Sequence, residues 1–424
     1  MRDILPEDHE FFTLVKKAVR HRCRQAGFVR ITTPLVENVG VFQRGIGDGT
    51  DIVEKEMFTL KDRNDNLLAL RPETTASVMR AFIEHGMNSW PQPVQFYCIE
   101  PAFRYDRPQK GRYRQFWQYS VEVIGEKDPS IDAQVILLGR KILEDLQIAD
   151  RFELQINTIG NLASRKDFEN ALQNHFAGKS HALCPDCKRR LEKNPLRILD
   201  CKNEDCQILS SLAPKFDQFL DQESKDFYQK VLSILRELQI PFVENKSLVR
   251  GLDYYCDTVF EFWDKSQGSQ NAIGGGGRYD GLCEKLGGSH APAVGFSFGV
   301  ERVISHLKEA EIKPPKKDKV HVFVACLGEL AKMKAVRILS DLHDLGIHAL
   351  GAMGKSSIKA QMKMADKLGA DWCLILGDIE VKEQTVILKD MKKGEQNPMP
   401  ESEVLEKILK LVGKEDIDKW EIGE

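Results

Sequence analysis

The sequence predicts an α+β protein: an antiparallel sheet with flanking helices, a helical insertion, and a separate C-terminal α/β domain. Three observations predict it. Strand-like stretches often follow one another directly, which favours antiparallel pairing over a doubly wound parallel sheet. Residues 160–242 are helix-rich and carry a cysteine cluster before strand character resumes. Residues 311–319 are charged, contain Pro314-Pro315 and read as a linker. The expected domains are therefore 1–310, interrupted by the insertion at 160–242, and 320–424. A length of 424 residues with 42% hydrophobic content is enough for two or three cored domains.

The elements follow in order. Residues 10–27 read as an amphipathic helix, with Phe11, Leu14, Val15, Ala18 and Val19 on one face and Gly27 at its stop. Phe28–Ile31 reads as a strand that Pro34 cuts short. Residues 56–60 and 67–70 form a hairpin around Asp62–Asn66. Residues 73–85 read as a helix, with Pro72 presetting its start and Glu73 in its favourable first turn. Strands are expected at 94–99, 116–124, 152–157, 248–250 and 258–263, and helices at 131–146, 213–238 and 299–310. After the linker come a strand (Val320–Cys326), helices at about 329–345 and 357–368, and strands at Trp372–Leu376 and Thr385–Leu388.

Composition excludes several function classes. No run of about 18 apolar residues exists, so no membrane span is expected. The first ten residues are acidic and polar, unlike a signal peptide. Ten cysteines in a chain of this length do not make a disulfide scaffold, so reduced thiols and a cytoplasmic location are expected. With 61 Lys plus Arg against 64 Asp plus Glu, the chain lacks the overall basic charge of a nucleic-acid coat. Any RNA contact must use local cations.

The densest cation cluster is Pro101–Gln115, with Arg104, Arg107, Lys110, Arg112 and Arg114 against Asp106. Arginine forks grip phosphate oxygens bidentately, so a strand–loop–strand bearing several of them suits a polyphosphate clamp. A solvated basic hairpin would give the same pattern. Gly354-Lys355-Ser356 has Ala349 where a P-loop needs glycine. Gly274–Gly277 fails the dinucleotide fingerprint and reads as a close backbone approach, an open loop or a flexible hairpin. Arg250 and Asp253, beside Tyr254 and Tyr255, suit a phosphoryl site or an ordinary ion pair. Residues 295–302 read as a strand entering a helix that carries Arg302. None of the ten histidines lies in a His-Glu-x-x-His pattern, which argues against a catalytic metal.

Taken in this order, the segments resemble the histidyl-tRNA synthetases, a family of class II aminoacyl-tRNA synthetases, over essentially the whole chain. Gly27–Pro34 is similar to class motif 1, Phe103–Glu122 to motif 2, and Gly299-Val-Glu-Arg302 to motif 3. Arg-Gly-Leu-Asp-Tyr-Tyr at 250–255 and Gly-Gly-Arg-Tyr-Asp-Gly at 276–281 are similar to the two histidine-specific signatures. The resemblance implies a class II sheet and a C-terminal anticodon-binding domain. It implies activation of L-histidine by ATP with Mg²⁺, transfer to tRNA(His), and a homodimer built on motif 1. It also implies about a dozen residues ahead of Met1, often as a first strand.

The resemblance carries roles to particular positions. Arg250 would be the main catalytic cation at the α-phosphate, and Arg104 would hold the α-phosphate and the histidine carboxylate. Arg112 would reach the γ-phosphate, while Arg302 and Phe116 would clamp the adenine end. Glu73, Thr75 and Gln118 would take the substrate ammonium. Glu122 and Tyr255 would hold the imidazole from opposite sides, with Thr74, Tyr254 and Tyr279 completing the histidine-binding set. A pocket built on buried polar partners rejects analogues that lack those groups, so no editing domain is expected. For tRNA, the expected contacts are Arg107 and Lys110 in the motif 2 loop. A lysine stripe, Lys355, Lys359, Lys363 and Lys367, is a further candidate, or simply a solvated helix face.

Two alternatives stay open. Cys184-Pro-Asp-Cys187 and Cys201…Cys206 could ligate structural Zn²⁺ tetrahedrally or remain free thiols. The resemblance implies that the family tolerates other residues there and needs no zinc for activity. Synthetase-like paralogs also act as histidine-binding regulatory subunits of ATP phosphoribosyltransferase. They typically lack the C-terminal domain and the catalytic arginines, both of which this chain keeps.

Overall fold

A computed structural model describes residues 1–413 except 48, 107–111, 200, 202, 267–271, 315–318 and 355–356. The chain divides into two compact units, Met1–Pro314 and Pro315–Glu424.

In the first unit, α1 (Pro6–Gln25) leads to β1 (Val29–Arg30), β2 (Val36–Asn38) and α2 (Val39–Ile46). The hairpin β3 (Phe58–Lys61) and β4 (Leu67–Leu70) pairs antiparallel and joins β2 in a three-stranded sheet. Next come α3 (Thr75–Glu84), β5 (Val94–Phe103), β6 (Gln115–Ile124), α4 (Pro129–Asp145) and β7 (Phe152–Thr158). The insertion supplies α5 (Leu162–Ala177), α6 (Pro185–Lys193), α7 (Glu204–Ser211) and α8 (Gln222–Glu237). The unit ends with β8 (Phe242–Glu244), β9 (Cys256–Asp264), β10 (Gly274–Arg278), α9 (Leu282–Lys285), β11 (Ala293–Gly299) and α10 (Val300–Glu309).

The large sheet runs β1-β5-β6-β11-β10-β9-β7-β8. Its six inner strands are antiparallel, while the edge strands β1 and β8 pair in parallel. Period-2 alternation divides its faces. Tyr119, Val121 and Val123 of β6, Phe260 and Phe262 of β9, and Phe296 and Phe298 of β11 enter a core roofed by α1, α4, α8 and α10. The residues between them, including Gln118, Glu122, Glu261 and Ser297, face the opposite side, where the candidate site lies.

Three local expectations are corrected, and one open reading is decided. Leu248–Arg250 is not a strand: pairing ends at Glu244 because the Asn245 side chain accepts the Ser247 N–H and turns the chain. The helix expected from 213 starts only at Gln222; a 3₁₀ turn covers Phe216–Gln218, and Asp221 accepts the Ser224 N–H to cap α8. The helix expected from 73 starts two residues later, at Thr75, with Pro72 ahead of it as expected. The glycine run is not an open loop but an interior strand paired antiparallel with β9 and β11, and of its readings the close backbone approach holds: a Cβ on Gly276 would lie 1.9 Å from the Gly295 carbonyl oxygen.

The second unit has a five-stranded sheet. Its elements are β12 (Val322–Leu327), α11 (Glu329–Asp344), β13 (Ala349–Gly351), α12 (Ile358–Lys367), β14 (Trp372–Gly377), α13 (Asp378–Lys382), β15 (Thr385–Asp390), β16 (Gln396–Pro400) and α14 (Val404–Val412). The order is β13-β12-β14-β15-β16, parallel across the first three strands and antiparallel beyond. The short strands β13 and β16 and the helices α13 and α14 went unread in the sequence. α11 and α14 pack on one core, and Ala365 of α12 joins another.

Candidate active site

A cavity of about 860 Å³ opens on the site face of the large sheet. Its floor is built by alternation along β6, where Phe116 and Gln118 point into it. Arg104 follows β5, and its Nε donates to the Pro72 carbonyl at 2.8 Å. That bond aims the guanidinium across Phe116, 5.5 Å from the ring centre. Arg112 pairs with Asp106 at 3.1 Å. Arg302, in the first turn of α10, donates to the Ala272 carbonyl. Burial and the neighbouring Arg112 and Arg104 lower its pKa, the expected result when like charges face one space.

Arg250 enters from the loop after β8 and pairs with Glu261 of β9. Its guanidinium lies 5.4 Å from the Tyr255 ring centre. Burial works against its charge, but Glu261 and Tyr255 outweigh it and hold the pKa above the usual arginine range. The sequence allowed an Arg250–Asp253 pair; instead Asp253 accepts from Asn194 of the insertion. Arg250 Nε has no hydrogen-bond partner among the described residues, so a donor remains for a ligand.

Beside the cations lies a buried polar cluster. Glu73 accepts the Thr75 and Ala76 N–H groups at 2.7 and 2.8 Å, capping α3. Burial nonetheless raises its pKa. Thr75 Oγ1 donates to Glu122 at 2.7 Å, and the Tyr279 hydroxyl donates to the other carboxylate oxygen. Burial pushes the Glu122 carboxyl up to about 8, with Glu73 adding to the rise against those two hydrogen bonds. Thr74 Oγ1 donates to Ser120 Oγ at 2.7 Å, which meets Ser297 Oγ at 2.6 Å. The Tyr254 ring lies 4.6 Å from that of Tyr255 and 5.5 Å from that of Tyr279. Gln118 Oε1 is buried without a partner among the described residues, an acceptor held ready for a donor.

The structure thus gathers most of the expected residues. Glu73, Arg104, Arg112, Phe116, Gln118, Arg250, Tyr254, Tyr255 and Arg302 line the cavity. Thr74, Thr75, Glu122 and Tyr279 lie among the buried groups bonded behind its wall. Arg107, Lys110 and Lys355 lie outside the described residues. Lys359, Lys363 and Lys367 form an exposed stripe on α12 of the second unit. The four insertion cysteines converge.

Four residues of or beside the cavity wall went unread. Glu261 sits mid-strand between Phe260 and Phe262, and a carboxylate flanked by two phenylalanines was its signal. Glu301 accepts the Trp117 N–H at 2.9 and 3.0 Å, bracing β6 against α10; burial pushes its carboxyl up to about 7. The insertion also supplies cavity wall through Arg190 and Arg197, which pair with Asp51. No local pattern marks that long-range contact.

The family model described as histidyl-tRNA synthetase matches residues 1–303, and that described as anticodon binding domain matches residues 321–411. The chain belongs to the histidyl-tRNA synthetase family. A histidine–tRNA ligase of Dehalococcoides mccartyi is 43% identical over 410 residues, covering 97% of this chain and 98% of that protein. One from Geobacillus thermodenitrificans is 42% identical over 418 residues, covering 98% of each. The crystal structure of apo histidyl-tRNA synthetase from Staphylococcus aureus superposes with a TM-score of 0.79 at 35% identity, covering 96% of this chain and 98% of that one. The large antiparallel sheet is thus the class II sheet of histidyl-tRNA synthetases, and the second unit carries their anticodon-binding fold.

Proposed function

We propose that the protein activates L-histidine with ATP and transfers the histidyl group to tRNA(His). In the first step a histidine carboxylate oxygen attacks the α-phosphorus. The bond to the β-phosphate bridging oxygen breaks, giving histidyl-adenylate and pyrophosphate. Charge grows on phosphate oxygens, and fixed guanidiniums stabilise it without reorganising. The supporting observation is the convergence of Arg104, Arg112, Arg250 and Arg302 on one cavity.

Each group then has a role. Arg250 and Arg104 hold the α-phosphate, and Arg104 also holds the attacking carboxylate in line. Arg112 takes the γ-phosphate, and Arg302 and Phe116 grip the adenine end. Glu73, Thr75 and Gln118 accept the substrate ammonium. Glu122 accepts one imidazole N–H and Tyr255 meets the opposite side of the ring, with Thr74, Tyr254 and Tyr279 holding that pocket in shape.

Magnesium ion would arrive with the nucleotide. Protein donors already engage Glu73, Glu261 and Glu301, which fits a metal held mainly by phosphate oxygens and water. When bound, it neutralises the departing pyrophosphate.

A regulatory subunit that only binds histidine would have no use for four converging guanidiniums. Work in the cytoplasm suits the ten free cysteines, and among the described residues no helix is long and apolar enough to cross a membrane. A homodimer through motif 1 is supported by exposed apolar side chains on and around β1 to β4: Val29, Leu35, Val36, Leu60 and Leu67.

The test is histidine-dependent ATP–pyrophosphate exchange. Wild type should exchange with L-histidine alone, and Arg250→Ala should lose about 10²–10³-fold. Folded wild type that binds histidine but does not exchange would favour the regulatory reading.

A further inference from the structure

We propose that Cys184, Cys187, Cys201 and Cys206 form a tetrathiolate site for a single structural Zn²⁺ ion in the insertion. The ligand atoms of all four lie within 4.8 Å of one another, and none is in a disulfide. The Sγ atoms of Cys184 and Cys201 are 3.8 Å apart. A regular tetrahedron with Zn–S bonds of about 2.3 Å has edges of about 3.8 Å. A disulfide would need roughly 2.05 Å. A four-iron cluster needs its thiolates further apart, around a cube of inorganic iron and sulfide. Soft thiolates in tetrahedral array select zinc among the common divalent ions.

Burial supplies an independent reason. In α6 the only buried residue is Cys187, and in α7 the only one is Cys206. Ile208 within α7 and Leu212 just past its end are 62% and 69% exposed. Helices of nine and eight residues are too short to persist alone in water. Beyond the half-buried Leu191 and Leu209, little apolar area docks these two helices. Their fully buried contact with the chain around them is the sulfur cluster.

The surroundings suit a thiolate centre. The Cys184 N–H donates to Cys206 Sγ at 3.3 Å, and Cys184 opens α6, where the helix dipole favours negative charge. On binding, four Zn–S bonds form and four thiol protons leave to solvent.

The site also has a consequence for the cavity. The segment between the cysteine pairs holds the active-site wall. Arg190 pairs with Asp51, Lys193 with Glu54, Asn194 with Asp253, and Arg197 donates to the Gly251 carbonyl at 3.2 Å. A metal knot at both ends of that segment fixes it against the turn at Asp51–Glu54 and the loop that carries Arg250.

The proposal is tested on the full-length protein, purified without chelator, by metal analysis and by exchange into cobalt. About one zinc per chain is expected, released by a mercurial thiol reagent. The cobalt form should show sulfur-to-metal charge transfer and the strong d–d bands of a tetrahedral tetrathiolate. Chelation should make the chain between residues 178 and 211 newly sensitive to protease. Cys206→Ser should lose the metal, and because that variant could misfold, the wild-type spectrum decides. Folded wild type with no zinc, no cobalt spectrum and four rapidly titrating thiols overturns the proposal. So does a pair of disulfides, and so does iron in place of zinc.

Discussion

Burial sets the charge of Glu122, and through it part of the protein's response to pH. Its carboxyl is raised from 4.5 to about 8 by desolvation, assisted by Glu73. A raised acid pKa means that the folded state prefers the proton. The associated stability is complete below about pH 4.5 and is lost as pH rises through about 8. Wild type should therefore unfold at lower urea concentration as pH climbs across that window. Glu301 contributes in the same direction, since burial pushes it up to about 7. The difference between wild type and Glu122→Gln isolates the first group, because glutamine stays neutral throughout. The glutamine variant should give the flatter profile; parallel profiles would mean that Glu122 is ionised in the fold. Gly295 is tied to the same carboxylate, since a Cβ there would lie 1.9 Å from Glu122 Oε2.

At the scale of elements, β10 carries more of the architecture than its composition suggests. Its glycines bring β9 and β11 close, and Arg278 at its end is fully buried against Asp132 in the first turn of α4. Asp280 holds a second guanidinium nitrogen at 3.0 Å. Arg278 lies within the second histidine-specific signature, yet it points to α4 rather than to the cavity. Half of that signature is structural. Arg278→Met should destabilise the protein by about 3–5 kcal/mol, because it strands a buried carboxylate. Adding Asp132→Leu should recover part of the loss in denaturant unfolding, whereas no recovery would locate the cost in packing. The same strand shows what was legible. Alternation along β6 and β9, the strand-to-helix step at Gly299 and the proline and glycine stops all follow local rules. The glycine run did not, because its partners lie 12–24 residues away in sequence and only the assembled sheet decides among its readings. The expected strand at 248–250 failed for a similar reason: a single asparagine side chain outcompeted the β-propensity of the residues after it.

At the scale of the molecule, the cavity belongs wholly to the first unit, so activation chemistry and tRNA capture are open to separate tests. The second unit offers Lys359, Lys363 and Lys367 exposed along α12, while Gln361 and Ala365 of the same helix are buried. Gln361 holds the helix to β12 by taking the Cys326 N–H at 2.9 Å and donating to its carbonyl at 2.6 Å. A helix anchored this firmly on one side presents its lysines in a fixed row, which suits a phosphate backbone better than a flexible tail would. Reversing two of these charges together, Lys359→Glu with Lys363→Glu, should leave histidine-dependent pyrophosphate exchange unchanged. It should raise the KM for tRNA(His) in aminoacylation. The logarithmic salt dependence of that KM should become shallower by roughly 0.7–0.9 for each phosphate that the variant no longer neutralises, since fewer counterions are released on binding. If the KM for tRNA and its salt slope both match wild type, the stripe is a solvated face and tRNA is held elsewhere. If exchange falls as well, the substitution has disturbed the fold, and thermal unfolding of the variant will register it.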